Sequence, residues 1–205
     1  MLLEGQAAAF TCRLPLGIIR ALPDYLGNPM RALLLWICLA ILPGLASAID
    51  VATPGGTISI TLPKDFTRLS KQEIQGKFSR SGQQLPVAVF GNPKRSSTMA
   101  VTWSQLGETS LTADQLPQLS EQLHDSYSQN LPGIHWISSE VRSINGKSWI
   151  FLENTTPGRD TRVHNEVYCT DVKGNLLMLN LNSTEAEHAG YVAAFKAAEQ
   201  SLVVR

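Results

Sequence analysis

Apolar and polar residues alternate with a period of two in several stretches of the chain, and each predicts a β-strand. From Thr57 to Leu62, Ile58, Ile60 and Leu62 alternate with Thr57, Ser59 and Thr61, the pattern of a strand with one buried face. Ser97 to Gln105 repeats it with Met99, Val101 and Trp103. The short run Val87–Phe90 precedes it across Gly91-Asn92-Pro93, so the two predict an antiparallel hairpin. Ile134–Ile144 and Lys147–Glu153 predict a second hairpin, closed by Asn145-Gly146, the pair a two-residue turn favours. A third, from Thr161 to Val172 and on through Leu176-Leu177-Met178-Leu179-Asn180-Leu181-Asn182, turns at Lys173-Gly174-Asn175. It is expected at the centre of the sheet.

Two of these strands are apolar on both faces. Trp149 and Phe151 alternate with Ile150 and Leu152, and Leu177, Leu179 and Leu181 with Leu176 and Met178. A sheet built from such strands is covered on both sides.

Helical spacing is clearest in Leu111–Asn130, where Leu116, Leu119, Leu123 and Tyr127 form one stripe. Thr112 with Gln115 opens this helix and Leu131-Pro132-Gly133 stops it. A second helix is expected from Thr184 and Glu187 to about Ser201, with Ala189, Val192 and Phe195 inward. Ser70 with Glu73 predicts a short helix over Lys71–Phe78. Asp50–Gly56 is expected to be a mobile leader, Ser79–Pro86 a turn-rich stretch, Thr155–Asp160 a loop and Val203-Val204 a last short strand or packing segment. The fold class is therefore α+β: a mainly antiparallel sheet of six or seven strands with two main helices, covered by helices or loops on both faces; the resemblance described below implies an α/β/α sandwich.

The first 48 residues differ in kind. Met30-Arg31 is followed by an apolar run from Ala32 to Leu42, a Pro-Gly break and Ala46-Ser47-Ala48. A basic residue, an apolar run and an A-x-A site make a cleavable export signal over 30–48. The run falls short of the about 20 residues of a membrane span, which weighs against the other reading, an uncleaved anchor. Residues 1–29 are read as an upstream extension ahead of the true start at Met30, or else as a long n-region. A single domain is then expected over 49–205, periplasmic or secreted.

Charge narrows the function. Of 17 Lys plus Arg and 17 Asp plus Glu, three basic and two acidic residues precede Ile49, leaving a net charge of −1 beyond it. Without a basic block, nucleic acid is an unexpected partner. Of the three cysteines only Cys169 lies past the signal. Its strand neighbours Val163 and Val167 predict a buried, structural thiol.

Catalytic motifs are missing. His124, His135, His164 and His188 lie outside any metal-ligand spacing. No nucleotide loop or G-x-S-x-G elbow occurs, and no cofactor or metal is expected. His124 and His188 are read as facing solvent. One polar group merits a hypothesis: Arg162, His164, Glu166 and Tyr168, which alternate onto one face of a strand. A Glu beside a His suits acid–base work, and Arg suits an anion. The opposing reading is a half-exposed antiparallel face, polar by default.

Taken together, ISITLPKDFTRLS, VFGNPK, the helix at Leu111–Asn130, INGKSWIFLENTT and EVYCTDVKGNLLMLNLNST resemble the PsbP/Mog-type fold of bacterial secreted proteins, including the DcrB-like group. The resemblance covers nearly all of Thr57 to Val204 and contains no invariant catalytic letters. It implies a compact sandwich that binds or stabilises other proteins, as PsbP supports the photosystem II oxygen-evolving complex and Mog-type proteins bind the GTPase Ran. Neither partner carries over. The expected function is an exported, non-enzymatic protein-binding or assembly-factor domain of the cell envelope, acting on an unidentified envelope protein. Its partner surface is expected on the Arg162–Tyr168 face or the loops Asn92–Ser96 and Thr155–Asp160. The alternative is a periplasmic small-molecule binder or hydrolase using His164, Glu166 and Arg162.

Overall fold

A computed structural model of the chain describes residues 48–79, 84–106 and 110–205. The upstream extension and all of the export signal but Ala48 lie outside the described residues, as do residues 80–83 of the expected turn.

The strands are β1 (Ala48–Thr53), β2 (Gly56–Thr61), β3 (Thr67–Arg68), β4 (Ala88–Gly91), β5 (Ser97–Gln105), β6 (His135–Ile144), β7 (Lys147–Pro157), β8 (Arg162–Val172), β9 (Asn175–Thr184) and β10 (Val203–Val204). The helices are α1 (Lys71–Phe78), α2 (Leu116–Asn130, entered through a 3-10 turn at Ala113–Gln115) and α3 (Glu185–Gln200). Seven strands make one antiparallel sheet in the order β3-β4-β5-β9-β8-β7-β6. The expected hairpin β8–β9 takes its middle. Both tight turns are made by two residues with positive φ, Asn145 and Gly146 (50° and 79°) and Lys173 and Gly174 (54° and 78°). That is the backbone whose twist matches the flanking strands.

Each face of this sheet has its own core, so the architecture is the expected α/β/α sandwich. On one face Trp149, Phe151, Tyr168, Leu177, Leu179 and Leu181 pack against Phe195 and Ala198 of α3 and against Ile58 and Ile60 of β2. On the other, Ile150, Leu152, Val167, Cys169 and Leu176 meet Leu116, Leu119, Leu123 and Tyr127 of α2. Further along that second face, Val89 and Ala100 lie under Ile74 and Phe78 of α1. The α1 start is a full capping box: Ser70 Oγ accepts from the Glu73 N–H at 3.2 Å and Glu73 accepts from the Ser70 N–H at 2.7 Å.

Four local expectations are corrected. The leader over Asp50–Gly56 is mostly strand: β1 pairs with β2 from Ala48↔Thr61 to Thr53↔Gly56, and with β10 the two form a second, three-stranded sheet. Its two apolar residues, Ile49 and Val51, are too few to register as alternation. Gly55 and Gly56 are required here, because a Cβ on either would come within 2.4 Å of Val172 O or 2.3 Å of Arg205 O. Next, β7 runs on to Pro157, consuming half of the expected loop. On α3 the inward stripe is Tyr191, Phe195 and Ala198, whereas Ala189 and Val192 are exposed. Finally, Glu187 does not turn back on Thr184; its carboxylate accepts from Ser96 Oγ at 2.5 Å and Asn92 Nδ2 at 2.9 Å.

Candidate functional site

Antiparallel register brings charged side chains of neighbouring strands onto one face. Glu153 of β7 lies opposite Glu166 of β8, and Thr155 opposite His164. His164 in turn lies opposite Ser183 of β9. The N-terminal half of α3 crosses this row and lowers His188 onto it. The two imidazoles stack, with centroids 3.5 Å apart and planes 18° from parallel.

Each of these side chains has a partner within the group. His164 Nε2 is 2.8 Å from Glu153 Oε1. Tyr168 donates its hydroxyl proton to Glu166 at 2.9 Å. His188 Nδ1 lies 3.2 Å from Ser183 Oγ. Beside them is a small cleft of about 190 Å³, lined among others by Arg142, Glu166, Lys196 and Glu199. The Arg142 guanidinium carbon lies over the Phe151 ring, 3.6 Å from its centroid, and Arg142 donates to Glu199 at 2.7 Å.

The electrostatics favour neutral forms. Burial pushes the Glu166 carboxyl up to about 7, helped by the nearby Glu153 charge and opposed by the Tyr168 hydrogen bond. Burial also raises the Tyr168 hydroxyl, with Glu166 adding to it. His188 is held below the usual imidazole range by burial and by its neighbour His164. A carboxyl poised near neutrality can give or take a proton.

Arg162, His164, Glu166 and Tyr168 thus separate. His164 (8% exposed), Glu166 and Tyr168 (1%) lie under α3, so this is not a half-exposed face. Arg162 belongs to the far end of β8, where it donates to Thr155 Oγ1 at 2.8 Å and Gly133 O at 3.1 Å. It makes no anion-holding pair with His164. His188 points to the sheet rather than to solvent, and His124 stacks on Trp136 at 4.2 Å. The loop Asn92–Ser96 is pinned: Asn92 accepts from the Ser96 N–H at 3.0 Å, and Arg95 reaches Glu73 at 3.1 Å. Cys169 is buried, and burial pushes its thiol up to about 12.

The residues that the one-dimensional reading left out are Glu153 and His188. No linear spacing joins them to His164; register and helix phase do. Ligand atoms of His164, Glu166 and His188 also lie within 4.8 Å of one another, a three-residue set able to approach one cation. An ion lies in the plane of each imidazole that binds it, and two stacked rings do not share a point in both planes. His188 has to rotate off His164 before both can serve one ion.

Two solved structures share this arrangement of layers. One is cyanobacterial PsbP (CyanoP) from Synechocystis sp. PCC 6803, 18% identical, matched over 80% of this chain and 96% of that one with a TM-score of 0.53. The fold is PsbP-type. The other is LpqN, involved in cell envelope biogenesis of Mycobacterium tuberculosis, 17% identical over 82% of this chain and 96% of that one, with a TM-score of 0.52. The Ran-binding protein Mog1p of Saccharomyces cerevisiae aligns more loosely, at 11% identity and a TM-score of 0.44. No protein-family model matches the sequence, and no curated protein matches it. The PsbP-type fold is carried by the first two matches; the narrower DcrB-like grouping is not. Among the described residues, no helix is long and apolar enough to cross a membrane.

Proposed function

We propose that this chain is an exported, non-enzymatic binding or assembly-factor domain of the cell envelope, acting on a protein partner. One observation carries the reading. The only acid–base cluster singled out in the sequence is closed on itself, with His164 on Glu153 and Tyr168 on Glu166. His188 stacks on this cluster from α3, and the hydroxyl–imidazole pair it makes with Ser183 lies on a side chain with no exposed surface, away from any substrate. The export signal ahead of Ile49 and the envelope role named for LpqN support the same compartment.

Photo-crosslinking in intact cells tests this. A crosslinking residue is placed at exposed Lys94 or Arg159, each in a loop of the kind that carries binding. The expected result is reproducible linkage to one envelope protein, lost when the flanking loop residues are substituted in a still-folded domain. Export and folding without any linkage from either loop counts against a protein partner.

A small-molecule or hydrolytic role at His164 and Glu166 keeps one observation in its favour, the Glu166 carboxyl near neutrality beside an open cleft. It has lost Arg162. Unchanged ligand binding and activity in His164→Ala removes it.

A further inference from the structure

The opposite face of the same two central strands carries a second polar feature. Asn154, Asn165 and Asn182 lie side by side on β7, β8 and β9, each the register partner of the next. Asn180 is two residues from Asn182 and on the same face. They floor a cleft of about 520 Å³, walled by Tyr127, Leu131 and Pro132 where α2 ends and by Pro157 at the end of β7. An adjoining cleft of about 420 Å³ shares Asn180 and Asn182 and continues toward Thr102 and Phe78.

A row of asparagines at the centre of a sheet is costly. Asn is depleted in strands, and amides taken from water need partners. Part of the row supplies its own: Asn165 Nδ2 donates to Asn154 Oδ1 at 3.0 Å and Thr156 Oγ1 at 3.1 Å, which fixes both rotamers. Among the described residues, Asn180 and Asn182 have no side-chain hydrogen bond of this kind. Thr102 Oγ1 is buried without a partner. The floor is therefore preorganised at one end, while at the other the half-exposed amides of Asn180 and Asn182 have no internal bond to give up and the buried Thr102 hydroxyl still lacks a partner.

We infer that this cleft binds an uncharged, polyhydroxylated ligand: a short saccharide. No Lys, Arg, His, Asp or Glu lines the larger cleft, so nothing in it compensates a phosphate, a carboxylate or an amine; the one charged residue of the adjoining cleft, Lys77, already donates to Arg95 O at 2.8 Å. Asn offers two donors and an acceptor, the complement of a hydroxyl that both gives and accepts. Tyr127, Leu131 and the two prolines supply apolar wall for the C–H faces of a sugar ring. The Tyr127 hydroxyl, pushed up to about 12 by burial, stays a donor. The volume falls in the range of about 300–1,000 Å³ usual for small-molecule sites. An extended peptide fits less well, because peptide backbones pair with free strand edges and this floor is a sheet face whose ladder is complete. The cleft borders the Thr155–Asp160 segment at Thr156 and Pro157, but its floor residues Asn180 and Asn182 belong to neither partner loop, so substituting them tests the cleft alone.

The test is read on the side-chain amides themselves. The purified 15N-labelled chain is titrated with maltotriose and with chitotriose to about 10 mM, enough to fill a site of millimolar affinity. Inorganic phosphate and a capped tri-alanine peptide serve as controls. The expected result is a saturable shift of the Asn180 and Asn182 NH₂ signals with at least one saccharide and none with phosphate. Asn182→Ala then weakens binding roughly three- to tenfold, the effect of losing one hydrogen-bonding amide, while the backbone signals stay dispersed. Where that variant unfolds, Asn180→Ser takes its place. Failure of both saccharides to move either signal overturns the proposal, and a stronger response to the peptide replaces it with a peptide site.

Discussion

The two faces of β8 and β9 come from the same residues read alternately, yet they solve opposite problems. The α3 face carries ionisable groups, Glu153, Glu166, His164 and His188, and pairs them with one another beneath a helix. The α2 face carries neutral amides and leaves its helix short, so that Asn180 and Asn182 open onto a cleft. Polarity is thus no guide to where a strand meets its surroundings. Ionisable groups taken under a helix are paired or held neutral, whereas half-exposed amides keep access to water and need no internal partner.

This contrast can be broken most forcefully at Phe195, the buried anchor of α3 (1% exposed). Phe195→Ala is expected to cost about 3–5 kcal/mol in urea unfolding, the range for large-to-small aromatic core changes. A loss under about 1 kcal/mol would mean that α3 does not seal its face. Asn182→Leu on the other face is expected to stay within about 1 kcal/mol of the parent, as a change at a half-exposed position does.

Next in size is Glu166. Its folded-state pKa of about 7 lies above the unfolded value of about 4.3, so folding favours the protonated form. The stability it contributes is full below about pH 4 and is lost as pH rises toward 7. Glu166→Gln keeps the acceptor for Tyr168 and removes the titration. It should raise stability by about 3 kcal/mol above pH 7 and by little at pH 4. A pH-independent difference between the two proteins would show that the carboxyl is not desolvated.

A smaller effect of opposite sign belongs to His188. Its depressed pKa gives stability that is present above the unfolded value of about 6.5 and fades as pH falls through the folded one. His188→Phe retains a ring on His164 and should flatten part of the acid side of the urea midpoint profile. The change is smaller than at Glu166 because solvent screens a partly exposed ring. An unaltered acid limb would place the loss elsewhere. Smallest of all is the expected response of Cys169 to a thiol reagent: no labelling in the native state and full labelling in denaturant. Rapid native labelling would mean that the α2 face opens.

Most of the fold was legible because its signals are local. Asn145-Gly146 and Lys173-Gly174 fix two hairpin registers by turn chemistry, and Leu116, Leu119, Leu123 and Tyr127 name the inward side of α2. The site was less legible because it depends on contacts without local signals. Glu153 meets Glu166 through the β7–β8 connection at 158–161, a loop whose length does not dictate pairing. His188 reaches His164 only once the phase of α3 is set by Tyr191, Phe195 and Ala198, and the choice of Ala189 and Val192 rotated the helix away from it. The row Asn154, Asn165 and Asn182 was invisible for the same reason: its members lie far apart in sequence and become neighbours only when three strands align.

One arrangement bears on how the domain assembles. β2 is flanked on one side by β1 and on the other by β10, and Thr57 exchanges two backbone hydrogen bonds with Arg205 at 2.9 Å. A chain emerging amino-terminus first therefore makes the β1–β2 hairpin long before its third strand exists. Alone in water such a hairpin is marginal, and it presents Val51, Ile58 and Ile60 with nothing to cover them. Closure of the small sheet is a late event, and until then those side chains are a natural handle for any chaperone that meets the growing chain.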